Sequence, residues 1–314
     1  MKNKRYTRLA NIFIVIGIVL FILTACGESE SAISATESIS EDDIKGVYVS
    51  SGLNYGIDAP YSVTEISEDA VRVYESKSDY LNGLDSGDGW STKEYNYTLE
   101  QEDGVTILTD HYSDGGSYPG SLTYFEDLNL LWIGGMESHF LFKTDDSEDI
   151  SGNEYLDYNI DFVKSFYYED SVFGEEEWSI DDDSWRNAAY SYFKGTWTDQ
   201  RDNNNSFVFM AEDSSYEAIV ECSFPDISKD SFVISKTIDS DAQEQWEMTY
   251  NNIGIQFDQI VNRTAEDDGS YSSGYGHRII IAPIADNICA VYYQDLVSAG
   301  GSIEYGHGTL FKKQ

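Results

Sequence analysis

Most of the chain alternates between short apolar runs and short polar breaks. From Ile44 to Lys143, apolar residues recur at every second position, as at Val71 and Val73, with Gly, Asn, Asp and Ser between the runs. Such alternation is typical of half-buried antiparallel strands. It predicts eight strands, near 44–49, 61–66, 70–76, 93–99, 104–109, 121–126, 128–134 and 138–143. Because no helical pattern separates them, we expect an antiparallel meander that closes into a barrel.

The same pattern returns after residue 192. It predicts nine further strands, near 193–198, 206–210, 216–222, 232–238, 245–250, 254–261, 277–282, 287–293 and 303–312. The segment 145–192 between the two regions is acidic and rich in aromatic residues, and Tyr155, Tyr158 and Phe162 follow a helical spacing. Asp183 or Ser184 is a candidate cap for a helix that reaches Phe193. We interpret this segment as a partly helical acidic connector docked on its neighbours, with an aromatic recognition platform as the alternative.

The two strand-rich regions begin and end alike, which indicates an internal repeat. Ile44-Lys45-Gly46-Val47-Tyr48 corresponds to Phe193-Lys194-Gly195-Thr196-Trp197, and Phe142-Lys143 corresponds to Phe311-Lys312. Two copies of one β-unit explain these matches better than a single large sheet. The sequence therefore predicts two β-domains in tandem, at 44–144 and 193–314.

Gly195-Thr196-Trp197 resembles the G-x-W signature of lipocalin-like proteins. The resemblance implies two antiparallel barrels of the lipocalin or calycin type, each able to hold a small ligand. It also implies that Trp197 closes a barrel base and that a basic residue of the last strand, Lys312 or Lys313, packs across its ring. In the first copy, Gly46-Val47-Tyr48 is a conservative departure, and the corresponding pair is Tyr48 and Lys143.

The N-terminus carries a second resemblance. Four basic residues precede the apolar run Ile12–Leu23, and Leu23-Thr24-Ala25-Cys26 resembles the lipobox of bacterial lipoproteins. The resemblance implies that residues 1–25 are a signal peptide and that Cys26 carries the lipid (diacylglyceryl and palmitate groups) that anchors the chain to the extracytoplasmic face of the cell membrane. The alternative is an uncleaved anchor helix, but a run of 12 residues rises only about 18 Å, short of the ~30 Å hydrocarbon core. Residues 26–43 are small, polar and acidic, which predicts a disordered tether.

Charge and motif content narrow the classes of function. With 57 acidic against 19 basic residues and a formal charge of −38, the chain is expected to repel nucleic acid. The four histidines lie far apart, and no metal-ligand spacing, P-loop, dinucleotide fingerprint or nucleophile elbow occurs. We therefore predict no cofactor, no metal site and no enzymatic activity. A transporter's solute-binding subunit is disfavoured because no βαβ rhythm is present.

Cys222 and Cys289 both fall in the second β-unit, on predicted inward faces. They are either a disulfide, which an extracytoplasmic location permits, or two buried free thiols. The sequence does not decide between these alternatives, although strands of a meander need not be neighbours.

Together these patterns predict a membrane-anchored, non-enzymatic lipoprotein that binds a small apolar or amphipathic molecule in one or both barrels. The alternative is an interaction module that recognises carbohydrate or a protein partner through a Tyr/Trp-rich exterior. For a pocket, the longer loops of the second unit favour that unit.

Overall fold

A computed structural model describes residues 39–314 with several gaps. The gaps are 54–60, 83–91, 103–104, 112–114, 135–138, 145–149, 151, 173–174, 181, 202–203, 212–217, 224–230, 235–243, 266–270 and 296–307. All descriptions below concern the residues outside these gaps, which belong to one compact unit spanning residues 34–314.

The first part of the chain is a short helix followed by a closed antiparallel barrel of eight strands. Helix α1 is Glu41–Ile44, and a second short helix, α2 (Lys77–Leu81), lies between β3 and β4. The strands are β1 (Gly46–Ser51), β2 (Tyr61–Ile66), β3 (Ala70–Tyr74), β4 (Thr92–Glu102), β5 (Val105–His111), β6 (Ser117–Phe125), β7 (Leu130–Gly134) and β8 (His139–Thr144). Each pairs with the next, and β1 pairs with β8. The predicted eight-stranded antiparallel barrel is confirmed.

The folded part of the chain starts earlier than the boundary expected at Ile44. Ile39 is buried, and α1 begins at Glu41. The backbone N–H and the hydroxyl of Ser40 both donate to a carboxylate oxygen of Asp43, at 2.8 and 2.6 Å. These hydrogen bonds hold the pKa of Asp43 below its usual value and fix the start of the helix. Residues 39–43 therefore cover the barrel base, whereas we had expected them in the tether.

Two helices and a hairpin join the two strand-rich regions. They are α3 (Glu154–Lys164), β9 (Tyr167–Val172), β10 (Glu175–Ile180) and α4 (Asp182–Phe193). Helix α3 buries Leu156, Ile160 and Val163, which share one helical face. The side-chain amide of Asn159 on that face donates to the backbone carbonyls of Ile253 and Pro283, at 2.8 and 2.9 Å. The hairpin is an addition to the sequence interpretation, which expected a partly helical segment and placed no strands in it.

The second strand-rich region is a curled sheet of nine strands whose first strand pairs with its last. The strands are β11 (Gly195–Asp199), β12 (Ser206–Ala211), β13 (Ala218–Ser223), β14 (Ser231–Ile234), β15 (Glu244–Asn251), β16 (Gly254–Ala265), β17 (Tyr271–Ala285), β18 (Ile288–Asp295) and β19 (Gly308–Lys313). We refer to it as the second sheet.

One junction of the second sheet departs from the predicted antiparallel meander. Strands β14 and β15 run parallel and share a single pair, Ile234 with Trp246. The cause is parity, because strands that alternate in direction close antiparallel only when their number is even. A ring of nine strands must therefore contain one parallel junction.

The first barrel and the second sheet pack against each other through their outer faces. The Tyr292 ring lies 5.5 Å from the Trp132 ring, and its hydroxyl is 2.7 Å from the hydroxyl of Ser121. The backbone N–H of Gly308 donates to the Thr123 hydroxyl at 2.9 Å. Strands β6, β7, β18 and β19 therefore bury side chains on both faces.

Candidate functional site

The base of the first barrel is closed by Tyr48. Its ring is fully buried, and its hydroxyl donates a 2.7 Å hydrogen bond to the carbonyl of Ile44 at the end of α1. Lys143 lies opposite Tyr48 on β8, with Nζ 5.9 Å from the ring centroid and 3.1 Å from the carbonyl oxygen of Asp43. Burial raises the pKa of Tyr48, so the hydroxyl keeps its proton and remains a donor.

The base of the second sheet repeats this arrangement around Trp197. The indole is fully buried, and its Nε1–H donates a 2.8 Å hydrogen bond to the carbonyl of Phe193, four residues earlier. Lys313 lies opposite Trp197, with Nζ 5.3 Å from the indole centroid and 2.7 Å from the carbonyl oxygen of Tyr192. The two bases therefore match contact for contact.

The lysine above Trp197 is Lys313, not Lys312. Residues that face each other across an antiparallel pair share a face of the sheet, and Trp197 faces Lys313. Lys312 faces Thr198 and Ile288, and it lies on the opposite face because side chains alternate along a strand. The structure brings Tyr48 together with Lys143 and Trp197 together with Lys313, so of the two lysines considered for the second base it is Lys313 that lies over the ring.

The interior of the first barrel has an apolar lower half, which we call the floor. All eight strands contribute to one packed cluster, and only the inner face of a closed sheet brings eight strands together. Its buried residues are Ile39, Ile44, Tyr48, Ile66, Val71, Tyr95, Leu108, Leu122, Tyr124, Leu131, Ile133 and Leu141. Packing at this density leaves little free volume next to the base.

The upper half of the same interior carries small and polar residues, which we call the rim layer. It consists of Ser50, Ser62, Asp110, Gly120 and His139. Their inward direction follows from the alternation of the strands. Ser50, Asp110, Gly120 and His139 each lie two residues from an inward residue of the floor. Ser62 faces Ser50 across the pair of β1 and β2. The Ser50 and Ser62 hydroxyls are 2.6 Å apart, and the Asp110 side chain is buried, at 8% exposure.

The rim layer lies at the end of the barrel where the long connections are. The turns at the base are short, as between β2 and β3 or β6 and β7. The connections at the other end include residues 54–60, 83–91, 112–114 and 135–138, which lie outside the described residues.

Equivalent positions of the second sheet carry larger side chains. Thr64 faces Tyr48 in the first barrel, whereas Phe207 faces Trp197 and stacks on it at 5.8 Å between ring centroids. Leu141 lies two residues before Lys143, whereas Phe311 lies two before Lys313 and 5.3 Å from Phe207. An eight-stranded barrel is near the limit at which side chains fill the interior. At these two positions the first barrel carries the smaller side chain.

Cys289 is a free thiol, fully buried on the inner face of the second sheet next to Phe311. Its strand β18 pairs with β17 and β19, whereas Cys222 lies on β13, which pairs with β12 and β14. For this reason the disulfide alternative is not realised at Cys289, and the free-thiol alternative describes it. Burial raises the pKa of Cys289 well above its ordinary value, which makes the thiol unreactive.

The remaining histidines and carboxylates do not assemble a metal centre in the described ranges. No group of three or more His, Cys, Asp or Glu side chains there is placed to hold a metal ion. His277 Nδ1 is 2.6 Å from the Tyr293 hydroxyl, and His111 Nε2 is 3.1 Å from the Thr98 hydroxyl.

Tryptophan does not form an exterior surface in the part of the chain that the structure describes. Trp132, Trp185, Trp197 and Trp246 are all buried, at 3% exposure or less. The large apolar residues that are exposed are Leu81, Met210 and Tyr250. The connector aromatics Phe162 and Tyr192 pack on each other, at 5.4 Å, rather than forming a free platform.

Two further outcomes concern the predicted site residues. Cys26 and the tether up to residue 38 lie outside the described residues, and no helix within the described ranges is long and apolar enough to cross a bilayer.

The rim layer was missed at the level of sequence. Its signal was present as Ser50 two residues after Tyr48 and Asp110 two residues after Leu108, but only the strand register shows that these residues share one interior.

Comparison with known proteins adds no family assignment, because no protein-family model and no curated protein matches the chain.

Proposed function

We propose that this chain is a membrane-anchored extracytoplasmic lipoprotein whose first barrel binds one small amphipathic molecule. The two sheets are lipocalin-like in this proposal, and the protein has no enzymatic activity. The observation that carries it is the division of the first interior into an apolar floor and a small, polar rim layer. A cavity with apolar walls and a few polar groups is the usual form of a small-molecule site.

The proposed ligand is amphipathic because the first interior offers it both apolar and polar contacts. Val73 and Tyr95 on the inner wall are apolar contacts for a hydrocarbon portion. Ser50, Ser62 and Asp110 are polar contacts for a polar portion. The first barrel is preferred over the second sheet, contrary to our expectation from loop length, because Phe207 and Phe311 occupy the corresponding space there.

The binding proposal is tested with soluble 27–314 and an apolar fluorescent probe, competed by a panel of lipids and small amphiphiles. Saturable binding near one equivalent is expected. Thr64→Phe, which places the Phe207 side chain of the second sheet at the equivalent position, should abolish it. Thr196→Phe is the matched control, because Thr196 is exposed on the outside of β11. Saturable binding that survives Thr64→Phe would contradict a site in the first barrel.

The anchor is tested separately in cells with a labelled fatty acid. Wild-type chain should incorporate the label, and Cys26→Ala should yield an unlabelled, unprocessed or shed protein. Incorporation by Cys26→Ala would refute the lipobox assignment while leaving the barrel proposal intact.

A further inference from the structure

We propose that the first barrel stands with its base towards the membrane and its rim layer turned away from it. The ligand then enters the barrel from the extracytoplasmic water and not directly from the bilayer that holds the anchor. The inference rests on the proposed function, since it takes Cys26 as the lipid anchor and the first barrel as the binding site. It adds the side from which that site is loaded.

The described chain enters the first barrel at its base. Ile39 is buried in the floor, and its backbone N–H donates to the Thr106 hydroxyl at 3.4 Å, close to the start of β5. Helix α1 follows at once and ends at Ile44, whose carbonyl accepts the hydrogen bond of Tyr48. The chain that leads back to Cys26 therefore leaves the barrel at the base and not at the end with the rim layer.

The connection to the lipid is short compared with the barrel. It consists of residues 27–38, and a flexible chain of that length spans about 20 Å r.m.s.. Strand β6 has 9 residues, which at ~3.3 Å per residue and a tilt of about 40° gives the barrel a height of about 23 Å. To bring the rim layer to the bilayer, the connection would have to run up the barrel wall and stretch beyond its r.m.s. length, which costs conformational entropy.

The second sheet points the opposite way beside the first barrel. Its base is formed around Trp197, and Arg201 follows four residues later, past the far end of β11. The guanidinium Cζ of Arg201 lies 5.9 Å from the ring centroid of Phe125, at the base end of β6. The base of the first barrel therefore lies beside the end of the second sheet that is opposite its own base.

Helix α3 shows the same arrangement at the other end of the first barrel. The Tyr61 hydroxyl, at the rim-layer end of β2, donates to the Asp157 carboxylate of α3 at 2.5 Å. The next residue of the helix, Tyr158, packs on Tyr192 at the second base, with 6.3 Å between the ring centroids. The rim layer and the second base therefore lie on the same side, which the proposal turns away from the membrane.

The charge of the first base sets its distance from an anionic bilayer and not its direction. Exposed carboxylates of Glu41, Asp42 and Asp127 lie at this end of the barrel. Their repulsion by anionic lipids is screened beyond about 8 Å at physiological ionic strength. That distance is short compared with the r.m.s. length of the connection, so the base stays near the bilayer without inserting into it.

The orientation is measured by energy transfer on the full-length lipidated chain in vesicles of phosphatidylcholine and phosphatidylglycerol that carry an acceptor on the head groups. Single donors are attached at Asp127→Cys and Ser117→Cys, exposed positions at the two ends of β6, in a Cys222→Ser background. Cys289 is buried and does not take the label. Transfer should be at least about twofold more efficient from position 127, because the two positions differ in distance from the bilayer by about the height of the barrel.

Two further variants test the reason for the orientation. A donor at Asn287→Cys, an exposed position in the turn at the second base, should give the same weak transfer as Ser117→Cys. Inserting about 36 Gly and Ser residues after Gly27, which lengthens the r.m.s. span of the connection to about 40 Å, should reduce the difference between positions 117 and 127. A difference that the insertion leaves unchanged would contradict an orientation set by the connection.

The side of loading is measured by the rate at which the anchored chain takes up the apolar fluorescent probe. The probe is supplied either in the vesicles that anchor the chain or in a second, protein-free population. Equal rates for equal amounts of probe are expected, because in both cases the probe must first dissolve in water. Faster uptake from the anchoring vesicles would show direct transfer from the bilayer and would overturn the inference.

The outcomes separate this inference from the function on which it rests. Equal transfer from positions 117 and 127, or stronger transfer from position 117, would overturn the orientation and leave both the anchor and the binding proposal intact. Failure of the chain to associate with vesicles, together with failure to incorporate a labelled fatty acid, would overturn the anchor. Failure of soluble 27–314 to bind the probe would overturn the binding proposal.

Discussion

Single residues at the two bases donate hydrogen bonds to carbonyl groups at the end of a helix. The last turn of a helix leaves carbonyl groups without intrahelical partners. Tyr48 and Trp197 each donate to such a carbonyl, and Lys143 and Lys313 each donate to the preceding one. Gly46, at φ 148°, permits this approach, because a Cβ there would lie 2.8 Å from Cε of Lys143. The glycine and the aromatic residue of the motif therefore act together.

Trp197→Ala should lower the free energy of unfolding by about 3–5 kcal/mol, because it empties a fully buried site and leaves the Phe193 carbonyl without its donor. Denaturation in urea measures the change. Tyr250→Ala, at an exposed ring, is the control and should have a small effect. A near-neutral Trp197→Ala would remove the main argument for a lipocalin-like base.

Cys289 predicts a dependence of stability on pH at the alkaline end. Its folded pKa lies well above the ordinary value of 9.0. Below about pH 9 the thiol is protonated in both states, and the full stability is present. Above that pH only the unfolded chain releases the proton, so stability falls as pH rises.

The burial of Cys289, on which this pH dependence rests, is measured with a thiol reagent in a Cys222→Ser background. The Cys289 thiol should not react with the reagent in the native protein at pH 8 and should react fully in urea. Rapid native reaction at rates typical of exposed thiols would contradict its placement inside the sheet.

At the scale of elements, local pattern identified the strands and most of their neighbours, and it missed a few exceptions. Val105–His111 and its neighbours were predictable because alternation and turn residues are local signals. The hairpin of β9 and β10 was not, because residues 167–180 lack a clear alternation of apolar and polar positions. The parallel junction between β14 and β15 depends on the direction of distant strands, which no local pattern encodes. The rim layer has the same origin, since it exists only after register is fixed.

The hydrogen bonds of Asn159 are expected to hold helix α3 against the second sheet. Asn159→Leu conserves volume but removes the donor to the Ile253 and Pro283 carbonyls, which leaves two buried acceptors unsatisfied. The loss should be about 1–3 kcal/mol in the free energy of unfolding. Ser165→Ala, an exposed change at the end of the same helix, should stay within about 0.5 kcal/mol. Equal effects of the two variants would contradict an anchoring role for Asn159.

At the scale of the whole molecule, the first barrel and the second sheet are joined by side-chain packing as well as by the connecting segment. Gly134 lies against the ring of Tyr292, with no space for a side chain. Interfaces packed this closely make neighbouring units unfold together. The wild type should therefore show one cooperative transition across residues 39–314.

Gly134→Val should separate that transition into two, because a side chain forces the sheets apart while each keeps its own interior. Calorimetry measures the number of transitions. Ser117→Val is the control for adding bulk to the first barrel, since Ser117 is exposed on β6. A single unaltered transition in Gly134→Val would show that the contact carries no cooperativity.

Because the two bases match, the two halves of the chain can be compared with each other position by position. Tyr48 with Lys143 and Trp197 with Lys313 align the two halves residue by residue, without help from any other protein. Positions with the same geometry in both halves, such as the aromatic residue and the lysine of each base, are the ones that closure of a sheet at its base depends on. Positions that differ, such as Thr64 against Phe207 and Leu141 against Phe311, mark where the two interiors differ in side-chain size.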